Sequence, residues 1–150
     1  MGQTLGTQLR HLLELLDGAV AQKYASMGIG YRPRYTPVLR ALIAGEPCTV
    51  GEIAVAAGIT QPAATQTVSL MVSDKLIEAS PSNDGRQKLL RLTDHGRSLL
   101  PQLQEAWEAT AQAASGLDDE LAVPLSGLLG AAIEALAKKS FEERIREASR

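Results

Sequence analysis

Gln61, Thr65, Gln66 and Ser69 are side chains that both give and accept hydrogen bonds, and their spacing sets them on one face of a helix. Further along, Arg86 follows Asn83-Asp84-Gly85 in the polar run Ser82 to Gln87, a composition that favours a tight turn. Amides and hydroxyls suit the edges of bases, and a guanidinium on a turn suits phosphate or a narrow groove. Covalent chemistry finds no such support. The chain has no Gly-x-Ser-x-Gly, no phosphate-binding glycine loop and no His-Glu-x-x-His, so it is not expected to be an enzyme. Its single cysteine, Cys48, cannot form an intramolecular disulfide, and His11 and His95 lack companions at ligand spacing. No metal and no cofactor are expected, and Asp118-Asp119-Glu120 reads as carboxylates complementing a helix start.

The chain has 150 residues, 45% of them hydrophobic and 21% charged, which fits one globular domain. No apolar run reaches the ~20 residues needed to cross a bilayer, and no leader pattern opens the chain, so a cytoplasmic protein without membrane contact is expected. The formal charge is -2, yet between Arg32 and Arg91 seven basic residues stand against five acidic ones. The acid therefore lies on the flanks, and the middle is free of net repulsion from phosphate.

The elements that must position these residues follow from periodicity and capping. Leu5, Leu9, Leu12, Leu13, Leu16 and Val20 recur at steps of three and four, predicting a helix from Gln3 to about Met27. Thr36-Pro37 predicts a second helix, with Thr36 as its cap, running to about Ala44. Thr49 with Glu52 three residues on is a capping-box pattern opening a short third helix. Gly58 then supplies a tight turn, and Thr60 with Pro62 opens a fourth helix, its inner stripe Ala64, Val68 and Met71. Leu76 to Ala79 and Lys88 to Leu92 read as two strands around the polar turn. Thr93 or Asp94 caps a fifth helix, a sixth carries Leu121 to Leu136 with Pro124 in its early turns, and Phe141 to Ala148 forms a short last one. The expected fold is mainly α with a small β-hairpin wing: a winged helix-turn-helix over 35–96, flanked by dimerisation helices over 1–30 and 97–150. The apolar terminal faces exceed what one small domain can cover, which predicts a homodimer.

With these motifs the chain resembles the MarR family of winged-helix transcription regulators. Asp84-Gly85-Arg86, followed by Leu92-Thr93-Asp94-His95-Gly96, is similar to the family's wing pattern of Asp-x-Arg and then Leu-Thr-x-x-Gly. Thr49 to Ala54 and Thr60 to Ala63 also fit. The resemblance implies a homodimer whose first, fifth and sixth helices intertwine, reading a roughly palindromic site on double-stranded DNA, more often as a repressor. It implies release of DNA when a small aromatic or anionic effector enters a cleft beside the dimer helices. It also implies that Arg86 enters the minor groove and that Asp84 holds it in place.

The chain departs from the family pattern as well. Many relatives carry a basic residue where Gln66 and Leu70 stand, whereas Thr60 to Ser73 has none here. Lys75 replaces a usual glycine, and Ala79 a common basic residue. Affinity is then expected from Arg32, Arg34, Arg40, Lys75, Arg86, Lys88 and the positive end of the fourth helix. The candidate DNA contacts are Gln61, Thr65, Gln66, Ser69, Arg86, Lys88, Arg34 and Lys75. Paired bidentately, Gln61 and Gln66 would each select adenine, which predicts an A/T-rich site. Tyr24, Tyr31, Arg32, Tyr35 and Trp107 are candidates for the effector cleft, with core packing the alternative for the rings. Two other functions stay open: a dimeric small-molecule-binding or scaffold protein that has lost DNA binding, and a redox sensor acting through the Cys48 thiol.

Overall fold

A computed structural model describes residues 2–150, which divide into two compact units, up to Ala106 and from Trp107 onward. The fold is mainly α-helical with a single two-stranded hairpin, as the sequence predicts. In the first unit lie α1 (Leu5–Ser26), a 3₁₀ turn (Pro33–Tyr35), α2 (Thr36–Gly45), α3 (Val50–Ala57), α4 (Gln61–Ser73), β1 (Ile77–Pro81), β2 (Lys88–Leu92) and the start of α5 (Asp94–Glu120). The remainder of α5, with α6 (Leu125–Lys138) and α7 (Phe141–Ala148), makes the second.

The helix-turn-helix forms as its residues dictate. Thr49 accepts the Glu52 N–H at 3.2 Å, and α3 ends at Gly58, whose φ of 68° is the left-handed conformation a side chain disfavours. One half of the expected capping box differs, because the Glu52 carboxylate accepts from the Thr49 hydroxyl at 3.1 Å. Thr60 caps α4 through the Ala63 N–H at 3.3 Å, with Pro62 harmless in the first turn. The inner stripe of α4 includes Thr67 as well as Ala64, Val68 and Met71. Thr36 is not the cap expected of it. The 3₁₀ turn runs straight into α2, so Tyr35 is already helical (φ −75°, ψ −25°) and the Thr36 hydroxyl shares a 3.1 Å hydrogen bond with Tyr31 Oη.

In the wing, Ile77 pairs with Leu92 and Pro81 with Lys88 in antiparallel register. β1 starts one residue later than predicted and extends further, because the Leu76 N–H is taken by the Met71 carbonyl at 3.0 Å. Cys48 adds a short bridge on the other edge of β2, exchanging both backbone hydrogen bonds with Leu90. Thr93, not Asp94, caps α5, accepting the Gly96 N–H at 3.0 Å and donating to the Lys75 carbonyl at 2.6 Å. Lys75 itself sits at φ 61°, the conformation for which the family's glycine is suited.

The core gathers Tyr24 of α1, Tyr35, Val38, Leu39 and Leu42 around α2, Ile53 of α3, Met71 of α4, and Ile77, Leu90 and Leu92 of the wing. In the second unit none of the described side chains is buried, and Ile133 of α6 is 69% exposed. The sixth helix starts later than the sequence suggests. Asp118, still on α5, accepts the Leu125 N–H at 2.8 Å and the Ser126 N–H at 3.3 Å, so it caps α6 across the break. Its cluster thus serves a helix start, as expected, but from the end of the preceding helix.

Candidate nucleic-acid interface

Because Ala64, Thr67, Val68 and Met71 turn inward, Gln61, Thr65, Gln66 and Ser69 are left exposed on the opposite face of α4. Gln61, Pro62, Ala63, Thr65 and Gln66 line one open concavity at the start of that helix. The helix has no basic residue of its own, but the 3₁₀ turn brings one to it. Arg34 donates from Nε and Nη2 to the Thr67 hydroxyl, at 3.3 and 3.0 Å, and from Nη2 to Gln66 Oε1 at 3.2 Å. Thr67 is 3% exposed, so this seat is built into the core, while Arg34 and Gln66 stay open to solvent.

Arg86 and Lys88 are exposed on the wing, and Lys75 is exposed just before it. The wing turn is closed by the Ser82 N–H on the Gln87 carbonyl at 2.9 Å and by Gly85 at φ 70°. Asp84 plays a different part from the one the resemblance implies. Its Oδ1 accepts the Arg86 backbone N–H at 3.0 Å and the Ser82 hydroxyl at 2.5 Å, with no ion pair to the guanidinium. Asp84 therefore holds the backbone from which Arg86 projects, and leaves the charge itself unspent. The same two hydrogen bonds, the Ser82 hydroxyl first, hold its carboxyl below the ordinary range.

The tyrosines proposed for an effector cleft lie in the core. Tyr24, Tyr31 and Tyr35 are buried and form an edge-to-face chain, with ring centres 4.7 and 5.6 Å apart. Tyr35 Oη donates to Asp74 Oδ2 at 2.6 Å, tying the 3₁₀ turn to the end of α4. Burial and that bond push the Tyr35 hydroxyl up to about 12, and burial raises Tyr31 as well. Arg32 is exposed and lines a surface groove of about 640 Å³ with Arg10, Leu13, Glu14, Asp17 and Pro33. Trp107 lies half-buried on α5, in the second unit.

Cys48 is buried too, with its S–H donating to the Gly45 carbonyl at 2.8 Å. Burial pushes its thiol up and Glu52 adds to the effect, the opposite of what a reactive thiolate needs. Among the described residues no three of His, Cys, Asp and Glu are grouped to hold a metal ion, and no single helix is long and apolar enough to cross a membrane. Two further residues escaped the sequence reading. Glu46 accepts the Leu92 N–H at 2.7 Å and pairs with Arg97, joining the end of α2, the wing and α5. Thr67 was legible only as a polar residue on an apolar stripe, a signal that a partner must exist for it.

The 3₁₀ turn, α2 to α4, β1 and the wing turn lie within one stretch that matches the MarR family model, residues 29–87. That segment is similar to the MarR family. The MarR-type fold extends over nearly the whole chain, as three solved structures show. BpsR of Bordetella bronchiseptica, whose DNA binding is regulated by 6-hydroxynicotinic acid, is 21% identical, with a TM-score of 0.66 over 93% of this chain and 94% of its own. The PcaV transcriptional regulator of Streptomyces coelicolor, solved with its natural ligand, is 23% identical, with a TM-score of 0.63 over 93% and 99%. MepR of S. aureus, solved with DNA, is 19% identical, with a TM-score of 0.69 over 91% and 98%. Among curated proteins, none matches this MarR-type chain. The architecture is therefore that of solved MarR-family transcriptional regulators.

Proposed function

We infer that this chain is a sequence-specific DNA-binding transcription regulator, acting as a homodimer on a palindromic operator in the repressing sense and answering to a small molecule. The observation that carries DNA contact is the exposed face of α4, with the Arg34 guanidinium seated on it and Arg86 held out on the wing of the same unit. The uncharged α4 is the reason to consider a scaffold protein. Against it, Arg34 gives the helix face a cation from outside the helix, which supports the DNA-binding reading.

Phosphate affinity then comes from Lys75, Arg86, Lys88 and the N-terminal end of α4, while Gln61, Thr65, Gln66 and Ser69 face base edges. Dimerisation is supported by two rows of exposed apolar residues: Leu5, Leu9, Leu13 and Leu16 on α1, and Leu128, Leu129, Ile133 and Leu136 on α6. A dimer sets two copies of α4 against successive major grooves, about 34 Å apart, so a shift of a few Å between them breaks several contacts together. Response to a small molecule is supported by analogy with BpsR and PcaV and by the groove beside Arg10 and Arg32, whose apolar walls carry both cations and the carboxylates of Glu14 and Asp17 and suit a compact polar organic molecule.

Fluorescence anisotropy on DNA from the promoter beside its own gene tests the reading. Selective binding is expected, weakening by a factor of about a thousand or more between roughly 50 and 200 mM salt. Binding that is indifferent to sequence and salt overturns it.

A further inference from the structure

Arg34 does more to Gln66 than stand beside it. A guanidinium has five N–H donors and no acceptor, so the side-chain amide that meets it must turn its oxygen inward and its nitrogen away. The 3.2 Å contact from Arg34 Nη2 to Gln66 Oε1 has this polarity, and the two bonds from Arg34 to the buried Thr67 hydroxyl fix where the guanidinium lies. Arg34 Nη1 holds no hydrogen-bond partner among the described residues, so its donors remain available. At this point of α4 the exposed pair therefore offers mainly donors: the Gln66 amide nitrogen and the unused N–H groups of Arg34.

A glutamine whose oxygen is held by a guanidinium does not read a base as a lone glutamine does. Bidentate pairing with adenine needs the amide oxygen to accept from N6 while the amide nitrogen donates to N7, and here one of the oxygen's two lone pairs is taken by Arg34, which fixes the direction of the amide. Adenine's N6 amino group would have to share that oxygen with Arg34 and lie against the guanidinium's donors, and a donor facing a donor in a desolvated contact opposes binding. Guanine offers O6 and N7, two acceptors side by side, on its major-groove edge.

We propose that Arg34 and Gln66 form a single composite reader, seated on Thr67, that selects guanine rather than adenine at one position of each half-site. The proposal rests on the DNA-binding reading above and sharpens it. It makes Arg34, a residue outside the reading helix, a specificity-determining residue, and it replaces the adenine expected for Gln66.

The experiment is selection from a randomised duplex library, followed by anisotropy on the selected sites, with the wild-type chain and the variants Gln66→Ala, Arg34→Ala and Thr67→Val. The position read by Gln66 is the one whose preference Gln66→Ala abolishes. There the wild type should favour guanine over adenine by about tenfold. Arg34→Ala frees the amide to turn, so the preference should move to adenine or vanish. Thr67→Val removes the seat but keeps the charge, so it should weaken the guanine preference with the salt dependence unchanged. Thermal melts and light scattering identify any variant that has lost its fold or its pairing, and Thr67→Val and Arg34→Ala decide the matter independently.

Adenine at that position in the wild type overturns the composite reader and leaves DNA binding intact. So does an Arg34→Ala variant that binds every site more weakly with its preferences unchanged, since that is the behaviour of a phosphate contact. Failure of the wild type to select any sequence overturns the DNA-binding reading along with it.

Discussion

Tyr35 shows how one side chain can be misread from its type. A flat ring in a chain with 3% aromatics invites a ligand, yet Tyr35 is fully buried and its hydroxyl bonds Asp74 at the end of α4. Its loss is therefore structural, and Tyr35→Phe should cost about 1–2 kcal/mol at pH 7. The hydroxyl is held protonated in the folded state, up to about 12, whereas in the unfolded chain it ionises near ~10. Its contribution is thus complete below pH ~10 and lost as pH rises toward about 12. Urea denaturation at pH 7 and pH 11 checks this: the wild type should lose more stability on alkalinisation than Tyr35→Phe, with Tyr31 keeping part of the slope in both. An equal loss would show that the Asp74 contact does not anchor the turn.

Among the elements, the join between wing and α5 is the most exacting. A Cβ on Gly96 would lie 3.2 Å from the Leu76 carbonyl carbon and closer still to its oxygen, and that backbone is held by the Thr93 hydroxyl at 3.1 Å. The glycine of the Leu-Thr-x-x-Gly pattern is thus a packing requirement between α5 and the strand start. Gly96→Ala should destabilise the protein by about 2–3 kcal/mol, read as a lowered denaturation midpoint at unchanged slope. A neutral outcome would mean that the wing and α5 separate without penalty. The Glu46 clamp on Leu92 and Arg97 and the Cys48 bridge to Leu90 reinforce the same join from α2 and the segment before α3. Neither has a local signature, because each unites residues more than forty positions apart.

For the molecule as a whole, apolar surface decides the assembly. One chain leaves Leu5, Leu9, Leu13 and Leu16 open along α1, and the second unit buries none of its described side chains. Surface of this kind is covered by a partner in a soluble protein, and a second copy supplies the symmetry that a palindrome requires. Introducing Leu13→Glu together with Ile133→Glu should leave the first unit folded but shift the protein to monomers in light scattering. Operator affinity should then fall by about a hundredfold or more, because each reading helix binds its half-site alone. A double variant that remains dimeric would place the interface elsewhere.

The order of helices, the hairpin, the caps at Thr49 and Thr60 and the outward row on α4 were all legible in the chain. Each depends on the spacing of residues near one another, and periodicity and capping are local physics. The start of α2 was misjudged because a 3₁₀ turn leads into it, and Asp118 caps a helix other than its own. For the interface, residue types announced a surface for bases, but the charge missing from α4 comes from Arg34, which meets Gln66 and Thr67 through the fold alone. Side-chain chemistry along a helix is written in its repeat, whereas the direction in which an amide points depends on whatever residue the folded chain brings against it.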